Sequence, residues 1–151
     1  MDARFYSTAG SFTLRAAALI LRDGCVLLAR SDDHDCFYTV GGAVRQNEST
    51  DCAIQRECLE ETGCPCAIER LVFVQERFYA PQGTPQHEIT FFYLMKPDGP
   101  APVDGTATDQ RREHLHWIPL NELTALNIVP TFLREGLQAL PVEVTHIITR
   151  E

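Results

Sequence analysis

The stretch from Gly42 to Cys64 reads GAVRQNESTDCAIQRECLEETGC. Between Ser49 and Thr62 it has no Pro and no Gly, and it holds good helix formers such as Ala53, Leu59 and the glutamates. This predicts a helix from Ser49 to Thr62. Ser49 or Thr50 can cap its start, and Asp51 falls in the first turn, where negative charge is favoured. Gly63 suits the left-handed position after the last turn, and Pro65 forbids continuation. Glu57 and Glu61 are then four residues apart and Glu57 and Glu60 three apart. All three carboxylates share one face.

That face works against the helix. Like charges four apart destabilise by about 0.2–0.5 kcal/mol per pair. Glu60 and Glu61 also occupy the last turn, the negative end of the helix dipole, at about 0.3–1 kcal/mol each. Arg56 offsets only part of this. An acidic surface helix is the bland reading of such a cluster, but a plain solvated helix end favours Lys or Arg there. Three clustered oxygen donors suit a hard divalent cation, Mg²⁺ or Mn²⁺.

The spacing carries more information than the cluster. Gly42, Glu48, Arg56-Glu57, Glu60-Glu61 and Gly63 stand at the separations of the Nudix box, and the stretch resembles that box at every glycine, arginine and glutamate. It departs at two aliphatic positions, held here by Cys58 and Cys64. Cysteine behaves as a small buried hydrophobe, so packing changes there and chemistry does not. Before the box, Thr39-Val40 stands where the family commonly has a proline.

The resemblance implies a fold and an activity. The fold is the Nudix α/β/α sandwich, with a central mixed β-sheet between helices. The activity is divalent-metal-dependent hydrolysis of the pyrophosphate of a nucleoside diphosphate linked to another group, such as a nucleoside triphosphate. ADP-ribose or a nucleotide sugar is the alternative substrate. Pro81 lies near the proline of ADP-ribose-type members, although its spacing departs from theirs. An alternative of another class is a non-catalytic Nudix-fold nucleotide-binding or regulatory module, but an intact acid set favours the enzyme.

By resemblance Glu57, Glu60 and Glu61 are metal ligands and catalytic residues, with the Gly42 carbonyl as a backbone ligand. Arg56 orients glutamates and Glu48 is its partner. The general base varies within the family, so Glu57 and Glu113 are both candidates. Phe37, Tyr38 and Tyr79, with Phe78 beside them, are candidates for stacking on a base, although aromatics are more often core.

The rest of the chain fits one α/β domain over residues 1–151, long enough for a real core. Strands are expected at 13–21 and 25–30, joined by the Asp23-Gly24 turn, and both runs are apolar enough to be covered on two faces. Further strands are expected at 67–78, 87–95, 114–118 and 144–149. Loops are expected at 31–36, 79–86 and 97–109. Short helices are expected at 119–123 and at 131–140.

The net charge of −8 argues against a nucleic-acid polymer as partner. A small nucleotide bridged by metal is the expected ligand, and a homodimer is an open assembly. No apolar run is long enough for a membrane span, and Met1-Asp2-Ala3-Arg4 does not begin a signal peptide. Six cysteines without a Cys-x-x-Cys read as reduced thiols in a cytoplasmic protein. His34 with Cys36 is read as a loop coincidence, not a metal pair.

Overall fold

The computed structural model describes residues 1–108 and 112–151. In chain order it contains β1 (Arg4–Ser7), β2 (Gly10–Arg22), β3 (Cys25–Ser31), β4 (Phe37–Ala43), α1 (Thr50–Thr62), β5 (Cys66–Tyr79) and β6 (Gln86–Pro97). β7 (Glu113–Pro119), β8 (Ile128–Val129), α2 (Leu133–Gly136) and β9 (Thr145–Arg150) follow. The sheet order is β7-β3-β4-β2-β6-β5-β9, with β1 beside β2 and β8 beside β4. The β2–β6, β4–β8 and β5–β9 pairs are parallel and the remaining pairs antiparallel, so the sheet is mixed.

Two apolar clusters lie on opposite faces of this sheet. On one face Ala16, Ala18, Ile20 and Val40 pack against Ala53, Ile54 and Cys58 of α1. On the other, Ala17, Leu19, Phe73 and Phe92 pack against Leu123, Leu133 and Leu137. Successive residues of a strand point to opposite faces, so a strand covered on both must be apolar throughout. This is why β2 and β3 read as unbroken apolar runs. Asp23 and Gly24 join them with φ of 51° and 74°, the two positive values that a tight hairpin turn needs.

Helix α1 ends as expected. Gly63 has φ 70° and its N–H donates to the Leu59 carbonyl at 3.0 Å. Its start differs. Ser49 occupies the cap position in extended backbone, but its side chain makes no capping bond. The Thr50 hydroxyl is 2.6 Å from the Tyr93 hydroxyl, so tertiary contact anchors the first turn.

Other expectations need correction. The last helix shrinks to Leu133–Gly136, set between Pro130, Gly136 and Pro141. The helix expected from Pro119 is a 3-10 turn over Leu120–Ala125. Tyr79 and Gln86 belong to strands, and a 3-10 turn over Pro81–Gly83 lies in the loop between them. Strands β1, β4 and β8 were not anticipated. β1 is exposed throughout, β4 carries two glycines, and β8 is two residues long. Asp109, the end of the expected 97–109 loop, lies outside the described residues. All six cysteines are free thiols, with Cys58, Cys64 and Cys66 buried. No helix among the described residues is long and apolar enough to cross a membrane.

Candidate active site

Strand β4 ends in Gly41-Gly42-Ala43, directly under the acidic face of α1. Gly41 has φ 152°, and a Cβ there would lie 2.3 Å from the Ala16 carbonyl oxygen. A Cβ on Gly42 would lie 2.7 Å from the carboxyl carbon of Glu57. Gly41 thus makes room for the neighbouring strand β2, and Gly42 for the Glu57 carboxylate. Glu61, one turn further on, accepts from the Gly41 N–H at 3.3 Å. Glu57 and Glu61 thus both reach the glycine pair, while Glu60 faces outward.

Arg56 ties the carboxylates together. Its Nε and Nη2 donate to the two oxygens of Glu48 at 2.8 and 2.9 Å, a bidentate fork. Its Nη1 donates to Glu57 at 2.6 Å and to Glu60 at 3.2 Å. Nη2 also reaches the Ala43 carbonyl at 3.3 Å, which fastens the helix to the end of β4. The Arg56 guanidinium holds the Glu48 carboxyl at about 2, against a usual value of 4.5, with the Arg45 N–H helping and burial opposing. Glu48 in turn raises the Arg56 guanidinium. One arginine thus serves three of the box glutamates.

Among the described residues, no three His, Cys, Asp or Glu side chains already converge as a metal-binding group. The donors nevertheless fit a hard cation. Carboxylate oxygens of Glu57 and Glu61 lie beside a backbone that carries no side chain, with Glu60 one step outward. His34 and Cys36 form no such group.

Glu113 comes to this region from β7. The Tyr38 hydroxyl donates to one of its oxygens in a short hydrogen bond, and the Thr108 hydroxyl donates to the other at 3.2 Å. Burial first, then the Glu113 carboxylate, pushes the Tyr38 phenol well above its ordinary value, and Glu61 adds to the push. Tyr38 therefore stays protonated between two carboxylates from distant parts of the chain.

The four aromatic candidates part company. Tyr79 lines a cavity of about 210 Å³ on the face opposite α1, with Arg15, Gln75, Arg77, Glu88 and Thr90 among its other walls; Tyr38 borders it too, although its ring packs against the first apolar cluster. Phe37 does not line it. Phe37 faces the second apolar cluster, with His116 edge-on at 6.1 Å and the Arg30 guanidinium 5.3 Å from its ring. Phe78 stacks on His87 at 4.2 Å and also lies outside the cavity. The polar walls escaped the sequence reading. Their only sign was polar residues at alternate positions, Gln75 and Arg77 or Glu88 and Thr90, within otherwise apolar strands.

The layered mixed sheet and the carboxylates gathered at its glycine pair define the class, an α/β fold with an acidic site at a strand end. The family model described as NUDIX domain matches residues 12–140, and the chain belongs to that family. Solved structures agree in fold. A MutT NUDIX hydrolase from Burkholderia pseudomallei is 28% identical with a TM-score of 0.58, over 73% of this chain and 84% of that one. An ADP-ribose pyrophosphatase from Streptococcus suis is 17% identical with a TM-score of 0.62, over 89% of this chain and 98% of that one. A UDP-X diphosphatase is 20% identical with a TM-score of 0.62, over 89% of this chain. The match spans 62% of that diphosphatase's length. Comparison with curated proteins gives no match.

Proposed function

We propose that this Nudix member is a divalent-metal-dependent pyrophosphohydrolase acting on a nucleoside diphosphate linked to another group, with nucleoside triphosphates the first substrates to test. The observation that carries the reading is the placement of Glu57 and Glu61 against the side-chain-free strand end at Gly41-Gly42. Glu57, Glu60, Glu61 and the Gly42 carbonyl would hold Mg²⁺ or Mn²⁺. Bound there, the ion supplies charge neutralisation at the phosphate oxygens and a more acidic bound water.

The chain's own residues do the positioning. Arg56 holds Glu57 and Glu60 in position, and Glu48 keeps Arg56 in place. Glu113, oriented by Tyr38 and Thr108, is a candidate to accept the proton of the attacking water. Glu57 is the other. The cavity beyond Tyr38 takes the organic part of the substrate.

ADP-ribose or a nucleotide sugar is the second reading. The Gln75, Glu88 and Thr90 walls favour it, because they can bond sugar hydroxyls. The complete acid set supports catalysis over a binding module. The six free thiols agree with a reducing, cytoplasmic setting.

The test is a phosphate-release screen with added Mg²⁺ or Mn²⁺. It should cover nucleoside triphosphates, ADP-ribose, nucleotide sugars, dinucleoside polyphosphates, coenzyme A and NADH. Hydrolysis that is abolished by chelator is expected. Full rates in excess chelator would overturn the metal reading, and no hydrolysis of any compound would overturn the enzyme reading.

A further inference from the structure

One cation beside the candidate site forms no ion pair among the described residues. Arg15 lines the cavity on the face opposite α1. It is half-buried, and it makes no hydrogen bond and no ion pair within 4.0 Å among the described residues. The other charges of the cavity are satisfied internally. Arg77 donates to Glu151 at 2.7 Å and lies 4.0 Å over the Tyr79 ring. Glu88 accepts from the Tyr79 hydroxyl at 3.0 Å. Glu88 is also a diagonal neighbour of Arg15, since Arg15 pairs with Thr90 and Thr13 with Glu88, yet the two form no ion pair.

The Arg15 guanidinium is not among the buried polar atoms that lack a partner, so it opens into the cavity with its donors unspent. Beside it Ala17 is too small to fill the space. The group that matches a free guanidinium fork is an oxyanion with two acceptor oxygens in one plane.

Position says which part of a substrate would meet it. Arg15 pairs with Ala43, and the next residue, Ala16, pairs with Gly42. Arg15 and the glycine cradle thus share one strand seam but serve opposite faces. The pairing of β2 with β4 stops at Ala18 and Val40, and Tyr38 and Thr39 line the cavity just beyond. Tyr38 borders both places, since its hydroxyl bonds Glu113 beside the carboxylates and it lines the cavity that holds Arg15, so a substrate whose pyrophosphate lies at the carboxylates would reach Arg15 past this residue.

We propose that Arg15 selects substrates carrying an oxyanion, a phosphate monoester or a carboxylate, on the portion beyond the hydrolysed pyrophosphate. The inference rests on the pyrophosphohydrolase reading above. The experiment uses matched pairs that differ by one anionic group: NADP⁺ with NAD⁺, coenzyme A with its 3′-dephospho form, and UDP-glucuronate with UDP-glucose.

For wild type, Arg15→Ala and Arg15→Lys, kcat and KM are measured with Mg²⁺, and binding of each compound is measured by calorimetry. Wild type should favour the charged member of at least one pair by about 10- to 100-fold in kcat/KM and in affinity, the range of a bond to a charged group. Arg15→Ala should erase that preference mainly through KM, and Arg15→Lys should keep part of it. A preference in the phosphate pairs alone, or in the glucuronate pair alone, identifies the source of the oxyanion. The melting temperature of Arg15→Ala should stay close to wild type, because no hydrogen bond or ion pair is removed.

Equal affinity for both members of every pair would overturn the inference. So would a uniform loss on all substrates with a lowered melting temperature, which marks a structural arginine. Arg15-dependent binding without hydrolysis would instead sink the enzyme reading and leave the anion site standing.

Discussion

Gly42→Ala perturbs the cradle by a single carbon. Gly42 does not have a positive φ, so alanine brings no backbone strain there. Its Cβ, however, would stand 2.7 Å from the carboxyl carbon and one oxygen of Glu57 and 2.8 Å from the other. Ordinary contact begins at 3.4 Å, so the carboxylate must retreat by roughly 0.7 Å. Glu57 is the far end of a flexible side chain, so the fold should tolerate this. The carboxylate cannot move alone, because Arg56 holds it at 2.6 Å and Arg56 is in turn gripped by Glu48. A displacement near 1 Å at a reacting centre is worth about 10²-fold in rate. We therefore expect Gly42→Ala to lose about 30- to 100-fold in kcat at saturating metal, with overpacking costing no more than about 1–3 kcal/mol of stability. The assay pairs steady-state kinetics on the best substrate of the screen with thermal unfolding in chelator. A kcat within twofold of wild type, with the fold intact, would refute the view that Glu57 placement on this strand end limits the reaction.

Glu113→Gln should lower kcat by about 10²–10⁴-fold if Glu113 accepts the water proton, with Glu122→Gln as the control for lost charge; a kcat within twofold of wild type would leave the base to Glu57. The Glu48 carboxyl is held at about 2 in the fold against 4.5 when free, so its stabilisation is complete above pH 4.5 and is lost as pH falls through 2. Thermal unfolding across that window should show a shallower acid limb in Glu48→Gln than in wild type, and identical limbs would contradict the Arg56 pairing. Cys58→Leu should keep turnover and shift stability by about 1–2 kcal/mol in either direction, since Cys58 is fully buried against the sheet. Inactivation with the fold retained would point to thiol chemistry.

The family, the acidic helix with its end, and the apolar central strands were all legible in the residues alone. These are local matters. A helix face follows from residue spacing, a left-handed stop from Gly63, and two-sided burial from an unbroken apolar run. The Arg56–Glu48 pairing was also legible, because both residues belong to one compact motif.

Four things were decided only by the tertiary structure. β4 became a strand despite two glycines, because β2 and β3 supply hydrogen-bonding partners on either side. The last helix kept only the turn Leu133–Gly136, where Leu133 and Leu137 pack into the second apolar cluster. Phe37 and Tyr38, adjacent in sequence, were sent to opposite faces, one into an apolar cluster and one toward Glu113. The cavity was assembled from β2, β4, β5, β6, β8 and the residue after it, Pro130. Its alternate polar residues carry no mutual spacing along the chain, since strand register alone brings Arg15, Gln75, Glu88 and Thr90 onto one face.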